Sequence, residues 1–376
     1  MKKALIAVAA LVACTASMAQ SSVTLFGVVD AGVGRLKSSG GSHVTGLLSS
    51  GNSTSRLGFR GTEDLGGGLS AGFWLEGGLN NDVGTGSSQT AGFDFQRRST
   101  VSLFGTFGEV RLGRDFVASY PMTFDFDVSG QRGFEQVEML GLSTSGVTGA
   151  SAFRTSNSVS YLLPSTLGGF FGQVQYGFGE ANSKVVPVAN AAGISATAAA
   201  AATKKTGNYA GVRGGYGSGP LIIAASYGQY FDATRVVGTS AYASDFKVAN
   251  IGASYDFGIV KPMGFIQTDK IGGRGPIAAY QFNTYAIGAT APVGPGLIRV
   301  QASHYTQDNS SNGANKVSLG YVHNLSPRTA LYADVARLNN KGASTYQVGG
   351  VNGLSNNGPV AGGNSTGLAV GMKHTF

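Results

Sequence analysis

The last eleven residues of the chain, Thr366 to Phe376, alternate by side: Leu368, Val370, Met372, His374 and Phe376 fall on one face of an extended strand, and Ala369, Gly371, Lys373 and Thr375 on the other. Such a strand offers one apolar face to lipid and one polar face to water. It cannot lie alone in a bilayer, because every backbone amide there needs a partner, and a closed barrel is the setting that supplies one. Internal segments repeat the pattern. Ile251, Ala253, Tyr255 and Phe257 oppose Asn250, Gly252, Ser254 and Asp256. Likewise Tyr285, Ile287 and Ala289 oppose Ala286, Gly288 and Thr290, and Ile298, Val300 and Ala302 oppose Arg299, Gln301 and Ser303.

The chain opens with Lys2 and Lys3, an apolar run from Ala4 to Ala13 and the small-residue end Ser17-Met18-Ala19. That is the pattern of a secretory signal peptide over residues 1–19, cut before Gln20. A lipoprotein site at Leu11-Val12-Ala13-Cys14 is the weaker reading, since valine precedes the alanine and a good Ser-Met-Ala site follows. Residues 20–376 then form one barrel domain with 27 − 2 = 25 bases against 19 acids, a formal charge of +6. The sole cysteine, Cys14, lies in the signal, so the mature chain has no thiol to pair. No uninterrupted apolar stretch of about 18 residues follows, so no helix is expected to anchor it. Glycine reaches 60 of 376 residues and charged residues only 12%, which in a soluble protein would signal low complexity. Fifteen tyrosines and 21 phenylalanines recurring among those glycines instead suit strands with aromatic belts and tight turns.

Short turn signals alternate with long polar stretches, which orients the barrel, because periplasmic turns are short and outer loops long. Seven tight turns are expected near Glu63–Gly68, Gly105–Gly108, Pro164–Gly169, Gly217–Pro220, Asp256–Lys261, Pro292–Gly296 and Asn324–Arg328. Eight longer loops fall near 36–53, 80–94, 116–153, 181–206, 232–246, 270–280, 307–314 and 340–364. Seven turns plus eight loops join sixteen strands, so the fold class is all-β, a sixteen-stranded antiparallel transmembrane β-barrel. At about 16 to 18 strands the lumen is an aqueous channel rather than a packed core. The alanine-rich run from Ala189 to Ala202 reads as part of an outer loop.

Parity then assigns the charges. With Leu57 and Phe59 facing lipid, Arg56 and Arg60 share the lumen face; with Val101 and Leu103 out, Arg98 turns inward. The outward pair Val159 and Tyr161 puts Ser158, Ser160 and Arg154 inside. The long segment from Phe116 to Phe153 contains Asp125, Asp127, Glu135 and Glu138, and folded into the barrel it brings acids toward these arginines. Arginines facing carboxylates across a narrow water gap select solutes by size, charge and dipole. The alternative is that they pair with acids near strand ends or snorkel to head groups. For any one arginine the two readings stand level; their shared sector favours the filter.

The four histidines form no catalytic set. His323 and His374 alternate with lipid-facing residues near strand ends, and His43 lies in a glycine-serine loop. Ser303 and His304 point to opposite faces, so they make no nucleophile and base. No Cys/His spacing suits zinc, the outer-loop aspartates lack calcium-ligand spacing, and the modest basic excess is too dispersed for nucleic acid. No cofactor is implied. A barrel enzyme, protease or phospholipase, would need a His/Asp or Ser/His cluster on one wall, and an adhesin barrel would conduct no ions.

SSVTLFGVVDAGV near the start, SRLGFRGTEDLGGGLSAGFWLE after the first loop, FGEVRLGRDF before the long loop and the terminal phenylalanine together resemble the trimeric general porins of Gram-negative outer membranes. The resemblance spans the mature chain. It implies a homotrimer in contact with outer-membrane lipid and lipopolysaccharide, passive diffusion of ions and small hydrophilic or anionic solutes, and a third outer loop folded inward as the constriction. It also implies an arginine ladder, matched by Arg60, Arg98 and Arg154, with Arg56 and Arg114 as additions and Asp125, Asp127 and Glu135 as loop acids opposite. The loop reads TFDFDVSG from Thr123 to Gly130 where some relatives carry proline-glutamate-phenylalanine-glycine. Phe376, with apolar residues at alternate positions before it, resembles the signal read by the outer-membrane assembly machinery.

Overall fold

The computed structural model describes residues 22–87, 92–143, 147–148, 150–180, 205–237, 240–272 and 278–376. The expected signal segment 1–19 and the run 189–202 lie outside the described residues. Within them runs a single antiparallel sheet of nineteen strand segments. They are β1 (Ser22–Ser38), β2 (His43–Ser49), β3 (Arg56–Gly66), β4 (Leu69–Asn80), β5 (Thr85–Gly86), β6 (Arg98–Gly105), β7 (Gly108–Phe116), β8 (Val147–Thr148), β9 (Arg154–Leu162) and β10 (Phe170–Gly177). They continue as β11 (Tyr209–Ser218), β12 (Leu221–Val237), β13 (Ser240–Tyr255), β14 (Lys261–Ile271), β15 (Tyr280–Val293), β16 (Gly296–Gln307), β17 (Gly313–Asn324), β18 (Thr329–Lys341) and β19 (Asn364–Thr375). Two short helices, α1 (Tyr120–Asp125) and α2 (Leu140–Ser143), lie in the long segment between β7 and β9.

Three of these segments are not separate staves of the wall. β5 and β8 are two-residue ribbons, and β2 sits end to end with β3 along one edge of β1, pairing with Ala31–Lys37 while β3 pairs with Ser22–Val28. The barrel therefore has 19 − 3 = 16 strands. It closes where β1 meets β19, from Val28 opposite Thr375 to Ser38 opposite Ser365. Beyond that ladder the Gly27 amide donates to the Phe376 carbonyl at 3.0 Å and the Phe376 amide returns a bond to Gly27 at 3.1 Å. The Phe376 ring occupies the space that any Cβ at Gly27 would need.

Alternation is carried through the wall. On β18, Ala330, Tyr332, Asp334, Ala336 and Leu338 are buried while Leu331, Val335 and Arg337 between them are exposed. Val101, Leu112, Val174, Ile251, Ile287 and Val370 belong to an exposed apolar belt on the outer surface. All seven tight turns form where the sequence places them. The outer loops differ in two places. Loop 36–53 contains β2, and loop 232–246 is largely the paired tips of β12 and β13, which run on to Val237 and Ser240. Both segments are polar enough to read as loop, yet their backbones continue the ladder above the membrane.

The segment between β7 and β9 folds into the barrel. Met122, Phe126, Phe134, Val137 and Leu140 form an apolar core with Phe265, Phe282, Tyr305, Tyr332, Leu338 and other lumen-facing residues of the wall. Burying a phenylalanine such as Phe126 or Phe134 contributes about 1.5–3 kcal/mol, which offsets the entropy of fixing about one or two residues, so several such side chains are needed to hold the loop. A Cβ on Gly367 would stand 2.6 Å from the Phe134 ring, so that strand carries glycine there. The loop thus lies against the wall of β12–β19, and its other side faces β3–β11.

Candidate functional site

The sector facing the loop is basic because parity keeps one charged residue after another on the lumen side of neighbouring strands. Register sets Arg56 beside Val28 and Gly78, Arg60 beside Thr24 and Trp74, and Arg98 beside Glu76. The Arg60 guanidinium lies 5.4 Å from the Phe26 ring centre and 5.2 Å from that of Trp74, while Arg98 lies 4.6 Å from Trp74. One indole, whose Nε1 donates to Glu76 at 3.1 Å, therefore holds two guanidiniums apart at fixed positions.

Carboxylates from the same wall neutralise part of this charge. Glu76 accepts from Arg97 at 2.6 Å and stands 3.8 Å from Arg56. Arg111 bridges Glu109 at 2.7 Å and Asp115 at 2.5 Å, and Asp115 also lies 3.8 Å from Arg98. Arg154 donates to the Arg97 carbonyl at 2.6 Å and stacks over Phe116 at 4.4 Å. Arg213 of β11 stacks over Phe171 at 5.0 Å and pairs with Asp125 at the end of α1. From the loop, Arg132 approaches the Tyr120 hydroxyl at 3.4 Å and the Phe124 ring at 5.6 Å.

A recess of about 250 Å³ is lined by Arg97, Arg98, Arg111, Arg154 and Arg213 with Glu76, Asp115 and Pro121. A second, of about 370 Å³, joins Arg60, Arg98 and Arg111 with Glu109. Eight arginines (Arg56, Arg60, Arg97, Arg98, Arg111, Arg132, Arg154, Arg213) meet four carboxylates (Glu76, Glu109, Asp115, Asp125), a balance of 8 − 4 = +4. Arg60, Arg132 and Arg154 have no carboxylate partner among the described residues.

The loop acids have different surroundings. Asp125 reaches the gap, and burial pushes its carboxyl up while Arg213 pulls it down. Asp127 is turned into the loop itself, accepting from the Ser129 amide and hydroxyl at 2.8 and 2.6 Å, from Gln131 at 2.8 Å and from the Val137 amide at 2.6 Å. Glu135 is buried against the far wall, where Arg299 pairs with it and donates through Nε at 3.2 Å. Burial pushes the Glu135 carboxyl up to about 7, with Arg299 and Lys316 opposing. Glu138 pairs with Lys316 and its amide donates to Tyr305 at 2.8 Å. Asp30 completes the anchorage. Its carboxylate accepts from the amides of Gly51, Asn52 and Ser53 at 3.1, 2.9 and 2.6 Å, fixing a short excursion from which Asn52 meets Arg299 at 2.9 Å.

A family model for Gram-negative porin matches residues 4–343. The chain belongs to the Gram-negative porin family. Outer membrane porin protein 32 of Delftia acidovorans is 43% identical to it over the full length of both chains. An outer membrane porin protein of Bordetella pertussis is 32% identical, the match covering 89% of this chain and 93% of that one. Among solved structures, the anion-selective porin from Comamonas acidovorans superposes with a TM-score of 0.81 at 40% identity, covering 95% of this chain and 100% of that one. The protein is accordingly an outer-membrane channel for passive diffusion and not an enzyme.

Within this porin, Arg56, Arg60, Arg98 and Arg154 come together on one sector, and Arg114 does not join them. It is paired opposite Ser99 on the side of Val101 and Leu112, donating to the Gln96 carbonyl at 2.5 Å and to Ser156 at 2.7 Å. Its parity with Val110 and Leu112, which face out, already places it on that side. Arg111 and Asp115 were legible by parity, since Val110 and Leu112 face out around them in FGEVRLGRDF, and so was Arg213 beside the outward Val212. Arg97 precedes its strand and Arg132 sits in a loop, so no alternation marks either. The histidines stay outside the lumen network: His304 contacts Asn315 at 2.5 Å, His323 contacts Tyr321 at 3.1 Å and His374 contacts Thr329 at 2.9 Å.

Proposed function

We propose that this porin prefers anions, and that its constriction is the gap between the inward loop and the wall that bears Arg56, Arg60, Arg98 and Arg154. The +4 balance of side chains around that gap carries the reading. A positive potential in a narrow wet passage raises the local concentration of anions and lowers that of cations. Three arginines without carboxylate partners, Arg60, Arg132 and Arg154, supply most of it, and Asp125 is the loop acid placed to modulate it. The Comamonas relative, an anion-selective porin, supports the same sign. Reversal potentials of the reconstituted channel in a salt gradient are expected to favour chloride over potassium, and a clear cation preference would falsify the selectivity while leaving the channel intact.

The reading extends to processing and assembly. Residues 1–19 act as the export signal, the mature barrel spans 20–376, and Phe376 is the residue read by the assembly machinery, its ring placed outward beside Gly27 at the closing seam. The working unit is a homotrimer in contact with lipopolysaccharide. Mass measurement of the mature chain tests the cleavage site. Deleting Phe376 is expected to lower the yield of folded barrel in cells while leaving refolding from denaturant in detergent largely intact; equal yield in cells refutes the recognition role.

A further inference from the structure

Behind the inward loop, one row of the far wall holds an acid that the anchorage leaves over. Arg299 on β16 stands opposite Gly320 on β17, and Gly320 stands opposite Asp334 on β18. A Cβ on Gly320 would meet the Glu135 carboxylate, so Glu135 sits over the missing side chain, with a base on one side and an acid on the other. Neighbouring strands lie about 4.8 Å apart, so the base and the acid are each one strand away from it. Gly133 of the loop packs over the acid, since a Cβ there would stand 3.6 Å from Asp334 Oδ2, and Asp334 is only 3% exposed.

The cations of this wall are already engaged. Arg299 meets Glu135 through Nε and Nη2 and Asn52 through Nη1. Lys316 donates to the Gln136 carbonyl at 2.6 Å and pairs with Glu138, which also accepts from the Gly349 amide at 2.9 Å. Asp30 is held by three amides and by the Tyr332 hydroxyl at 2.8 Å, and Asp127 by donors of the loop itself. Neither oxygen of Asp334 has a hydrogen-bond partner among the described residues. Five carboxyls (Asp30, Asp127, Glu135, Glu138, Asp334) thus face two cations, Arg299 and Lys316, and Asp334 is the one left without a donor. Ionising it beside Glu135 would bury a second, uncompensated negative charge, and carboxyls that share a site in this way hold one proton between them.

We propose that Asp334 and Glu135 share one proton beneath the loop and that its loss on the alkaline side unseats residues 129–137 from the wall, a proton latch on the channel. Its effect on conduction rests on the inward loop forming the constriction. With the proton, the pair carries one negative charge, which Arg299 matches; without it, the pair carries two. The Glu135 carboxyl, raised to about 7 from an ordinary value near 4.5, sets the range, so seating is strongest in acid and is lost as pH rises through about 7. Linkage over that shift weakens seating about tenfold between pH 6 and pH 9. Among the described residues no group of three His, Cys, Asp or Glu side chains is placed to hold a metal ion, which leaves the proton as the neutralising partner.

The test is amide hydrogen exchange of the full protein folded in detergent, read by mass spectrometry at pH 6 and pH 9, each variant compared with wild type at the same pH. At pH 9 the loop peptide 129–137 of wild type is expected to exchange about tenfold faster than that of Asp334→Asn, and at pH 6 the two should match. Glu135→Gln, which removes the other half of the pair, should behave like Asp334→Asn and decides the matter if that variant does not fold. Asp64→Asn, on an exposed turn, should follow wild type. In single-channel records wild type should leave its main conductance level about tenfold more often at pH 9 than at pH 6, and Asp334→Asn should not. Exchange does not depend on where the constriction lies, so a loosened loop with steady conductance supports the latch and counts against the constriction reading alone. Equal exchange of wild type and Asp334→Asn at pH 9 overturns the latch, and so does suppression of the wild-type loosening by millimolar calcium, which would assign the space to a metal ion.

Discussion

Arg60→Gln isolates the electrostatic claim, because Arg60 rests on two aromatic rings and has no carboxylate that its loss would orphan. Taking an ion at about 6 Å in water, one unit charge contributes about 0.7 kcal/mol, reduced to about 0.4 kcal/mol by a Debye length of about 10 Å at 0.1 M salt. The substitution raises the energy of an anion by that amount and lowers that of a cation equally, so the anion-to-cation permeability ratio should fall about 3.5-fold. At 1 M salt, with a Debye length of about 3 Å, the same arithmetic leaves a change of only about 1.4-fold. Reversal potentials across planar bilayers at both ionic strengths measure this directly. Arg60→Lys, which keeps the charge, should restore most of the ratio. An unaltered ratio at 0.1 M, or an equal drop at both salt concentrations, refutes the argument that this charge acts through the water of the gap.

Three further outcomes follow from the loop. Because the folded state raises the Glu135 carboxyl to about 7, above its ordinary value, this residue contributes stability that is fully present below the ordinary carboxylate range and is lost as pH rises through about 7. Thermal unfolding in detergent should therefore show a stability gain from pH 8 to 5 that flattens in Glu135→Gln; an identical slope in the variant contradicts the assignment. Asp125 is also raised, so acidification from neutral pH should neutralise it ahead of ordinary carboxylates and increase anion preference, an effect absent in Asp125→Asn. Gly367→Leu drives a side chain into the Phe134 ring and should cost about 1–3 kcal/mol as overpacking does; single-channel records should show a shifted or noisier conductance, and a record identical to wild type would mean that the loop does not depend on that contact.

The period-two pattern made the wall legible from the sequence, since lipid on one side and water on the other leave each strand little freedom of register. Arg56, Arg60, Arg98 and Arg154 follow from that rule. The same rule applied to Glu109, Arg111 and Asp115 yields a doubly paired arginine of the gap, and applied to Val212 it yields Arg213. It also speaks against the resemblance at Arg114, which shares the parity of the outward Val110 and Leu112 and stands opposite Ser99 on that outer side, so the ladder role implied by the family does not carry over to it. Loop residues carry no period at all, so the separate fates of Asp125, Asp127 and Glu135 depend on tertiary contacts that alternation does not encode.

Those fates explain the sign of the gap. The inward loop brings four acids, Asp125, Asp127, Glu135 and Glu138, and one base, Arg132, so a loop lying free in the lumen would set about −3 against the arginine wall. Instead Asp127 folds onto the loop's own amides, while Glu135 and Glu138 spend their charge on Arg299 and Lys316 of the far wall. A buried carboxylate without such a partner would be costly, so the pairs that fasten the loop also remove its negative charge from the passage. What faces the arginines is Asp125 and Arg132, which cancel. The positive field therefore depends on the anchorage as much as on the arginines: weakening Glu138 through Lys316→Met should free an acid toward the lumen and reduce anion preference, although position 316 lies on the opposite wall from every residue of the basic sector.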